Sequence, residues 1–313
     1  MKIIYGIRDI KKYTRPVVAL GIFDGMHRGH RHILKEAVSK ARRIKGKCVV
    51  VTFWPHPEEQ ASLYSLNHRL KLIAELGVDA CIVVHFNAVF SRIRAGDFIK
   101  NILVDKIAAH DIYIGKNFRF GQGARGDFRL LKNLARLYHF NVKVFAIIRV
   151  NHIPISSTRI RHLITNGKLG VAERLLLKPV TVLGTVVRGD SLAGRLGFPT
   201  ANINPHHEIL PPAGIYIVRV ILGERKFKGV SYIGSRPTII KKLNRGRPRN
   251  IEVHIFNFKN NIYGREIEIE FLGKVRNERK FATAQDLARQ VEIDIQRAKL
   301  KFPSLKANTM ARK

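Results

Sequence analysis

Short apolar runs alternate with amphipathic stretches through the first half of the chain. The runs at 17–22, 48–53, 80–84, 111–114 and 142–147 are rich in valine and isoleucine, as in strands covered on both faces. Between them, helical character is predicted near 28–45, 67–76, 95–104 and 127–139. Apolar strands separated by helices predict a parallel, doubly wound sheet. Ligands of such sheets bind beyond the carboxyl ends of the strands, where helices begin.

The pattern changes near 165–179, where Thr165-Asn-Gly-Lys and Leu177-Lys-Pro179 have connector chemistry. Beyond it, the stretches 180–187, 214–221, 251–258 and 265–271 carry β-branched and aromatic residues between glycines and prolines. This predicts an antiparallel barrel or sandwich. A last helix is expected over 283–299, capped by Thr283, with Leu287, Val291 and Ile295 on one face. The tail from Phe302 is expected to be loose.

A chain of 313 residues suits two domains at about 150 residues each, and the pattern change divides it into 1–178 and 179–313. No run of about 18 apolar residues is present. The first residues lack the apolar segment of a signal peptide, so no membrane contact and a cytoplasmic location are expected. Two cysteines without CxxC spacing, Cys48 and Cys81, lie in apolar runs. They are read as reduced and buried, not as a disulfide or zinc site.

The net charge of +34 would attract polyanions. The lysines and arginines are scattered, apart from 241–249, and no zinc-finger spacing, RNP-type motif or long basic helix accompanies them. The expected partners are therefore small molecules. Nucleic acid is expected to bind weakly and without sequence choice, and a basic nucleic-acid-binding protein is the competing class.

In the first half, Gly21-Ile-Phe-Asp-Gly-Met-His-Arg-Gly-His30 follows the first strand and opens the first helix. His27 and His30 share a helical face. A helix start already offers free amides to phosphate, and two imidazoles there could steady charge on an α-phosphate under attack. A second group, Ile155-Ser-Ser-Thr-Arg-Ile-Arg161, places Ser156, Ser157 and Thr158 at a helix start with Arg159 and Arg161 after them. That composition suits a polyphosphate. Gly121-Gln-Gly-Ala-Arg-Gly126 is a literal GxGxxG. It comes late in the sheet, and no acidic residue follows about 20 positions on, so it is read as a backbone turn.

In the second half no GxxxxGK[ST] occurs, which excludes a P-loop kinase. In Gly194-Arg-Leu-Gly-Phe-Pro-Thr-Ala-Asn202, Thr200 and Asn202 face one side of an extended chain. A hydroxyl and an amide oxygen are hard ligands that suit Mg²⁺. By spacing alone, an ordinary strand entry after Pro199 is the better reading.

Taken in order, these motifs resemble the prokaryotic bifunctional riboflavin kinase/FMN adenylyltransferase (FAD synthetase) family. The stretches Thr52-Phe-Trp-Pro-His-Pro57, Phe86-Asn-Ala-Val-Phe90 and Asn117-Phe-Arg-Phe-Gly121 are also similar to it. So are Gly234-Ser-Arg-Pro-Thr238, Glu252-Val-His-Ile-Phe256 and Tyr263-Gly264. The resemblance implies an α/β, Rossmann-like HxGH nucleotidyltransferase domain followed by an antiparallel β-barrel kinase domain with a terminal helix. It implies ATP-dependent phosphorylation of riboflavin to FMN, then adenylylation of FMN to FAD with release of pyrophosphate. One live half is the alternative. For adenylyl transfer it implies an ATP and FMN site lined by Gly21, Phe23, Asp24, Gly25, His27, His30, Asn117, Ser156, Ser157, Thr158, Arg159 and Arg161. For the kinase it implies Gly194, Arg195, Gly197, Pro199, Thr200, Asn202 and Arg236. Thr200 and Asn202 would hold Mg²⁺–ATP, and Glu252 would be the base. The chain departs from many members in two places: Gly194-Arg195 abuts Leu196 directly, and Tyr232 stands where they carry asparagine.

Overall fold

In the computed structural model, residues 1–57, 62–189, 197–206, 208–234 and 250–310 are described, with side chains to 302. The chain divides into two compact units, Met1–Arg159 and Ile160–Lys313.

The first unit is built on six strands: β1 (Lys2–Tyr5), β2 (Val17–Leu20), β3 (Cys48–Trp54), β4 (Ala80–His85), β5 (Asp111–Gly115) and β6 (Asn141–Phe145). All pair in parallel, in the order β1-β4-β3-β2-β5-β6. Strand β1 was not predicted, because Ile4 is its one buried residue. The connecting helices are α1 (Arg28–Arg43), α2 (Leu66–Ala74), the short α3 (Ala88–Ser91) and α4 (Ala95–Asp97), and α5 (Phe128–Ala135). Past α4 the winding loosens to a π-helix over Phe98–Val104. Val18, Leu20, Val49, Val51, Ile82 and Ile112 form the central core with Phe98 and Leu103. Cys48 and Cys81, which alternate with Val49 and Ile82 on β3 and β4, are fully buried free thiols, and burial pushes both pKa values up to about 12. A two-stranded ribbon, β7 (Arg149–Val150) and β8 (Ile153–Pro154), follows the sheet.

The chain order reverses at β2, which lies between β3 and β5. Their carboxyl ends form the crevice where open α/β sheets bind ligands. The first histidine motif leaves β2 there and Asn117 follows β5.

The division between units falls inside α6 (Ser157–Thr165), ahead of the 178/179 boundary expected from the sequence. The reason is α7 (Leu169–Leu176), which was not anticipated. It buries Ala172, Leu175 and Leu176 and packs on the barrel strands β9 and β14.

The second unit is a closed antiparallel barrel in the order β10-β13-β12-β11-β14-β9, so the barrel and not the sandwich forms. Its strands are β9 (Val180–Val187), β10 (Ala201–Asn204), β11 (Gly214–Leu222), β12 (Arg225–Gly234), β13 (Asn250–Ile255) and β14 (Glu266–Asn277). Strand β10 is short and β12 begins with basic residues, which hid both from the apolar pattern. Where β9 passes β10, a Cβ on Gly184 would lie 2.4 Å from Ile203, so only glycine fits. The last helix, α8, runs over Ala284–Met310. The expectation of a loose tail from Phe302 is therefore corrected. Phe302 is buried and packs edge-on against Phe256, 6.1 Å away, so the apolar face continues past 299.

Candidate functional site

The first cluster is set by the loop leaving β2. Two glycines of this loop and one in the first turn of α1 lie tight against neighbouring side chains. A Cβ would lie 2.9 Å from the Phe23 ring at Gly21, 2.7 Å from Leu63 at Gly25, and 3.1 Å from the His27 ring at Gly29. The loop also holds two non-glycine residues with left-handed backbone, Phe23 (φ 54°) and Met26 (φ 40°). It delivers His27 to the N-cap of α1, where its Nδ1 accepts the amide of His30 at 3.3 Å. That bond leaves the His27 proton on Nε2 when the ring is neutral. The His30 ring stacks on His27 at 3.7 Å and meets the edge of Phe23 at 5.4 Å. Its Nδ1 is buried with no hydrogen-bond partner among the described residues.

Both rings are held neutral. Burial is the larger cause and lowers His27 from 6.5 to about 4. Burial, then His27 and Arg69, hold His30 well below the usual range. His27 thus has a folded pKa below its unfolded one. Between pH 6.5 and 4 the unfolded chain binds a proton that the folded chain refuses, so stability falls as pH falls through that window. At about 1.4 kcal/mol per unit, this amounts to roughly 3 kcal/mol. The expected result is a drop in the unfolding midpoint of the first unit between pH 6.5 and 4. The drop should flatten in His27→Asn, which keeps a capping oxygen. An unchanged slope would place the acid sensitivity elsewhere.

Asp24 was expected to line the substrate site. Its carboxylate is 1% exposed and accepts the Leu63 amide at 3.0 Å, with Arg69 at 3.4 Å. It sits beneath the loop and braces it. The serine group lies against the same loop, since the Ser157 hydroxyl would be 3.2 Å from a Cβ on Gly25. Ser156 Oγ accepts the Arg159 amide at 3.2 Å, as a helix cap does. Thr158 is exposed, Arg159 and Arg161 half-buried, and Asn117 exposed after β5. The GxGxxG segment is a tight turn closed by reciprocal Phe120–Gly126 backbone bonds of 3.0 and 2.8 Å.

The second cluster lies on the barrel, in the second unit. In β13, Ile251, Val253 and Ile255 are buried and alternate with half-buried Glu252 and His254, as the period of two requires. Asn202 pairs directly with Glu252 across the β10–β13 ladder. Thr200 Oγ1 donates to Glu252 Oε2 at 3.4 Å. Asn250 Nδ2 donates to Glu252 Oε1 at 2.9 Å and to Asn202 Oδ1 at 3.3 Å. His254 Nδ1 donates to the Pro199 carbonyl at 2.9 Å, tying the segment before β10 to β13. Gly197 has φ 89°, a glycine conformation. A Cβ on Gly189 would collide with the Asn202 amide at 2.1 Å. Tyr232, opposite Glu252 on β12, donates its hydroxyl to Glu278. Burial, then the Glu278 carboxylate, pushes that phenol above its usual range. The sequence reading thus brought Thr200, Asn202 and Glu252 together but missed Asn250, Gly189 and the Tyr232–Glu278 pair. Gly194, Arg195 and Arg236 lie outside the described residues.

The oxygens of Thr200, Asn202 and Glu252 are hard donors and fit Mg²⁺. They are too few to hold it without phosphate oxygens and water, the usual arrangement for nucleotide-bound Mg²⁺.

Residues 9–159 match the family described as FAD synthetase, and residues 176–302 match riboflavin kinase. The chain is 35% identical over 304 residues to the bifunctional riboflavin kinase/FMN adenylyltransferase of Escherichia coli (strain K12), covering 94% of this chain and 96% of that protein. The chain belongs to the bifunctional riboflavin kinase/FMN adenylyltransferase family. Its identity to the family member from Haemophilus influenzae is also 35%, over 97% of this chain and 100% of that one. A crystal structure named as a macrolide-efflux protein from Streptococcus pneumoniae is similar at 27% identity and a TM-score of 0.81, covering 96% and 99% of the two chains. Among the described residues of this family member, no helix is long and apolar enough to cross a membrane.

Proposed function

We propose that residues 179–313 transfer the γ-phosphoryl of ATP to riboflavin, and that residues 1–178 then adenylylate the FMN to give FAD and pyrophosphate. The observation that supports this most directly is that each unit contains its own built cluster, in the two halves that match separate families.

On the barrel, Glu252 accepts the proton of the ribityl 5′-hydroxyl while that oxygen bonds to the γ-phosphorus and ADP departs. A hydroxyl is a poor nucleophile at neutral pH, so a positioned carboxylate helps. Thr200 and Asn202 are the residues for Mg²⁺, which would neutralise phosphate charge when bound. Gly194, Arg195, Gly197, Pro199 and Arg236 are assigned to nucleotide and flavin contacts by family pattern.

In the first unit an FMN phosphate oxygen attacks the α-phosphorus of ATP and the bond to the β-phosphate breaks. The attacking phosphate is already anionic, so no protein nucleophile is needed. Neutral His27 and His30, the amides at the start of α1, and Ser157, Thr158 and Arg159 stabilise the charge, and Arg161 is assigned to the same role by family pattern alone. Asn117, at the end of the neighbouring β5, lines the same crevice. Gly21, Phe23, Asp24, Gly25 and Ser156 shape it.

The substrates ATP, riboflavin and FMN are small molecules, and the protein acts on them in the cytoplasm. The +34 charge gives polyanions weak, salt-sensitive binding without sequence choice. The deciding experiment incubates the protein with riboflavin, ATP and Mg²⁺ and separates the flavins by chromatography. FMN should appear first and FAD after it. No flavin conversion would overturn the assignment, and FMN without FAD would leave one live half.

A further inference from the structure

Arg69, on α2, heads the fully buried side chains of the described residues by size, and no motif accounts for it. Its guanidinium donates to the carbonyls of Ile22 at 2.9 Å and Phe53 at 3.3 Å, and to Asp24 Oδ1 at 3.4 Å. Its face lies 5.4 Å from the Trp54 ring. As an ion pair with Asp24 it is long, and both side chains are stripped of water, at 0% and 2% exposure. Buried pairs of this kind are often matched in stability by apolar residues of similar volume. Stability alone is therefore a poor reason to place an arginine here.

What an apolar residue cannot do is grip Ile22 and Asp24 at once. These two residues flank Phe23, whose left-handed backbone costs about 1 kcal/mol or more unless its surroundings enforce it. A planar fork with five donors can enforce it, and an ammonium cannot do so at three acceptors in the same geometry. The loop so fixed ends at His27, the cap of α1.

We propose that Arg69 is a positioning residue for adenylyl transfer, holding the loop that presents His27 and His30 through its bonds to Ile22 and Asp24. The proposal rests on the first unit being the adenylyltransferase. A displacement near 1 Å at such a site costs about 10²-fold in rate.

The test measures FAD formation from supplied FMN in Arg69→Lys, which keeps the buried charge, and in Asp24→Asn/Arg69→Met, which removes the pair together. FMN formation by the same chains controls for protein amount and an intact barrel, and thermal unfolding of the first unit controls for its own fold, since the two are separate compact units. In each variant kcat for FAD should fall about 10- to 100-fold, with KM for ATP and FMN changed by less than about threefold and FMN formation unchanged. A merely stabilising arginine predicts normal kcat in any variant that folds. An FAD kcat within about threefold of wild type in either variant overturns the proposal, and the double variant decides if the lysine variant does not fold. A wild-type chain that makes FMN but no FAD would instead overturn the adenylyltransferase assignment, and this proposal with it.

Discussion

His30→Ala should reduce FAD formation from supplied FMN by about 10²–10³ in kcat and leave riboflavin phosphorylation at its wild-type rate. The geometry sets the direction of this effect. His30 lies in the first turn of α1, stacked on His27. With Nδ1 buried and unpaired, Nε2 is the nitrogen suited to meet a substrate oxygen. Burial keeps the ring neutral, so under the proposed function it would act as a hydrogen-bond donor and not as a fixed cation. Such a donor bonds more strongly as negative charge grows on the α-phosphate oxygens than it does to bound ATP, and this difference lowers the barrier. The loss therefore falls on kcat more than on KM. Alanine also removes the ring that supports His27, which adds to the loss in the same half. The barrel is a separate compact unit, so kinase turnover reports protein amount and barrel integrity, and thermal unfolding of the first unit reports the fold around position 30. An FAD rate near wild type would show that the α1 amides and arginines suffice. Loss of both activities would point to misfolding.

The motifs were legible because they combine special backbone with polar groups. The glycines at 21, 25 and 29 each lie tight against a neighbouring side chain, and such positions leave a mark in sequence. The strands of the parallel sheet were legible because burial on both faces makes them continuously apolar. Short strands with little burial were not. In β1 Ile4 alone is buried, and β10 has four residues, two of them buried. Arg69 was invisible because its partners, Ile22 and Phe53, use main-chain carbonyls, which any residue supplies. Asn250 left a signal that was not used. It is two positions before Glu252, hence on the same face of β13, where it bonds to both Glu252 and Asn202. The boundary near 178 missed α7 because its apolar face matches the barrel, whereas the connector residues around it only mark turns.

Glu252→Gln should cut FMN formation by at least about a hundredfold, while FAD formation from supplied FMN should stay near wild type. The substitution is close to a pure removal of basicity. Glu252 is half-buried on the face of β13 opposite Ile251, Val253 and Ile255, so the barrel core does not feel the change. A glutamine oxygen can still accept from Asn250 Nδ2, now at 2.9 Å from Glu252 Oε1. Its amide nitrogen can face Thr200 Oγ1, now 3.4 Å from the other carboxylate oxygen. Asn202 keeps its bond to Asn250, so the residues assigned to Mg²⁺ stay in place. What is lost is the acceptor for the ribityl 5′-hydroxyl proton. General-base removal costs about 10²–10⁴, well above the modest change expected from altered packing at a half-buried surface. Riboflavin binding, followed by flavin fluorescence, should persist in the variant, which separates loss of chemistry from loss of substrate. If Glu252→Gln turns over riboflavin at a near-normal rate, Glu252 is not the base. Phosphoryl transfer on this barrel would then rest on positioning by Thr200, Asn202 and Asn250, with the hydroxyl proton leaving to phosphate or water.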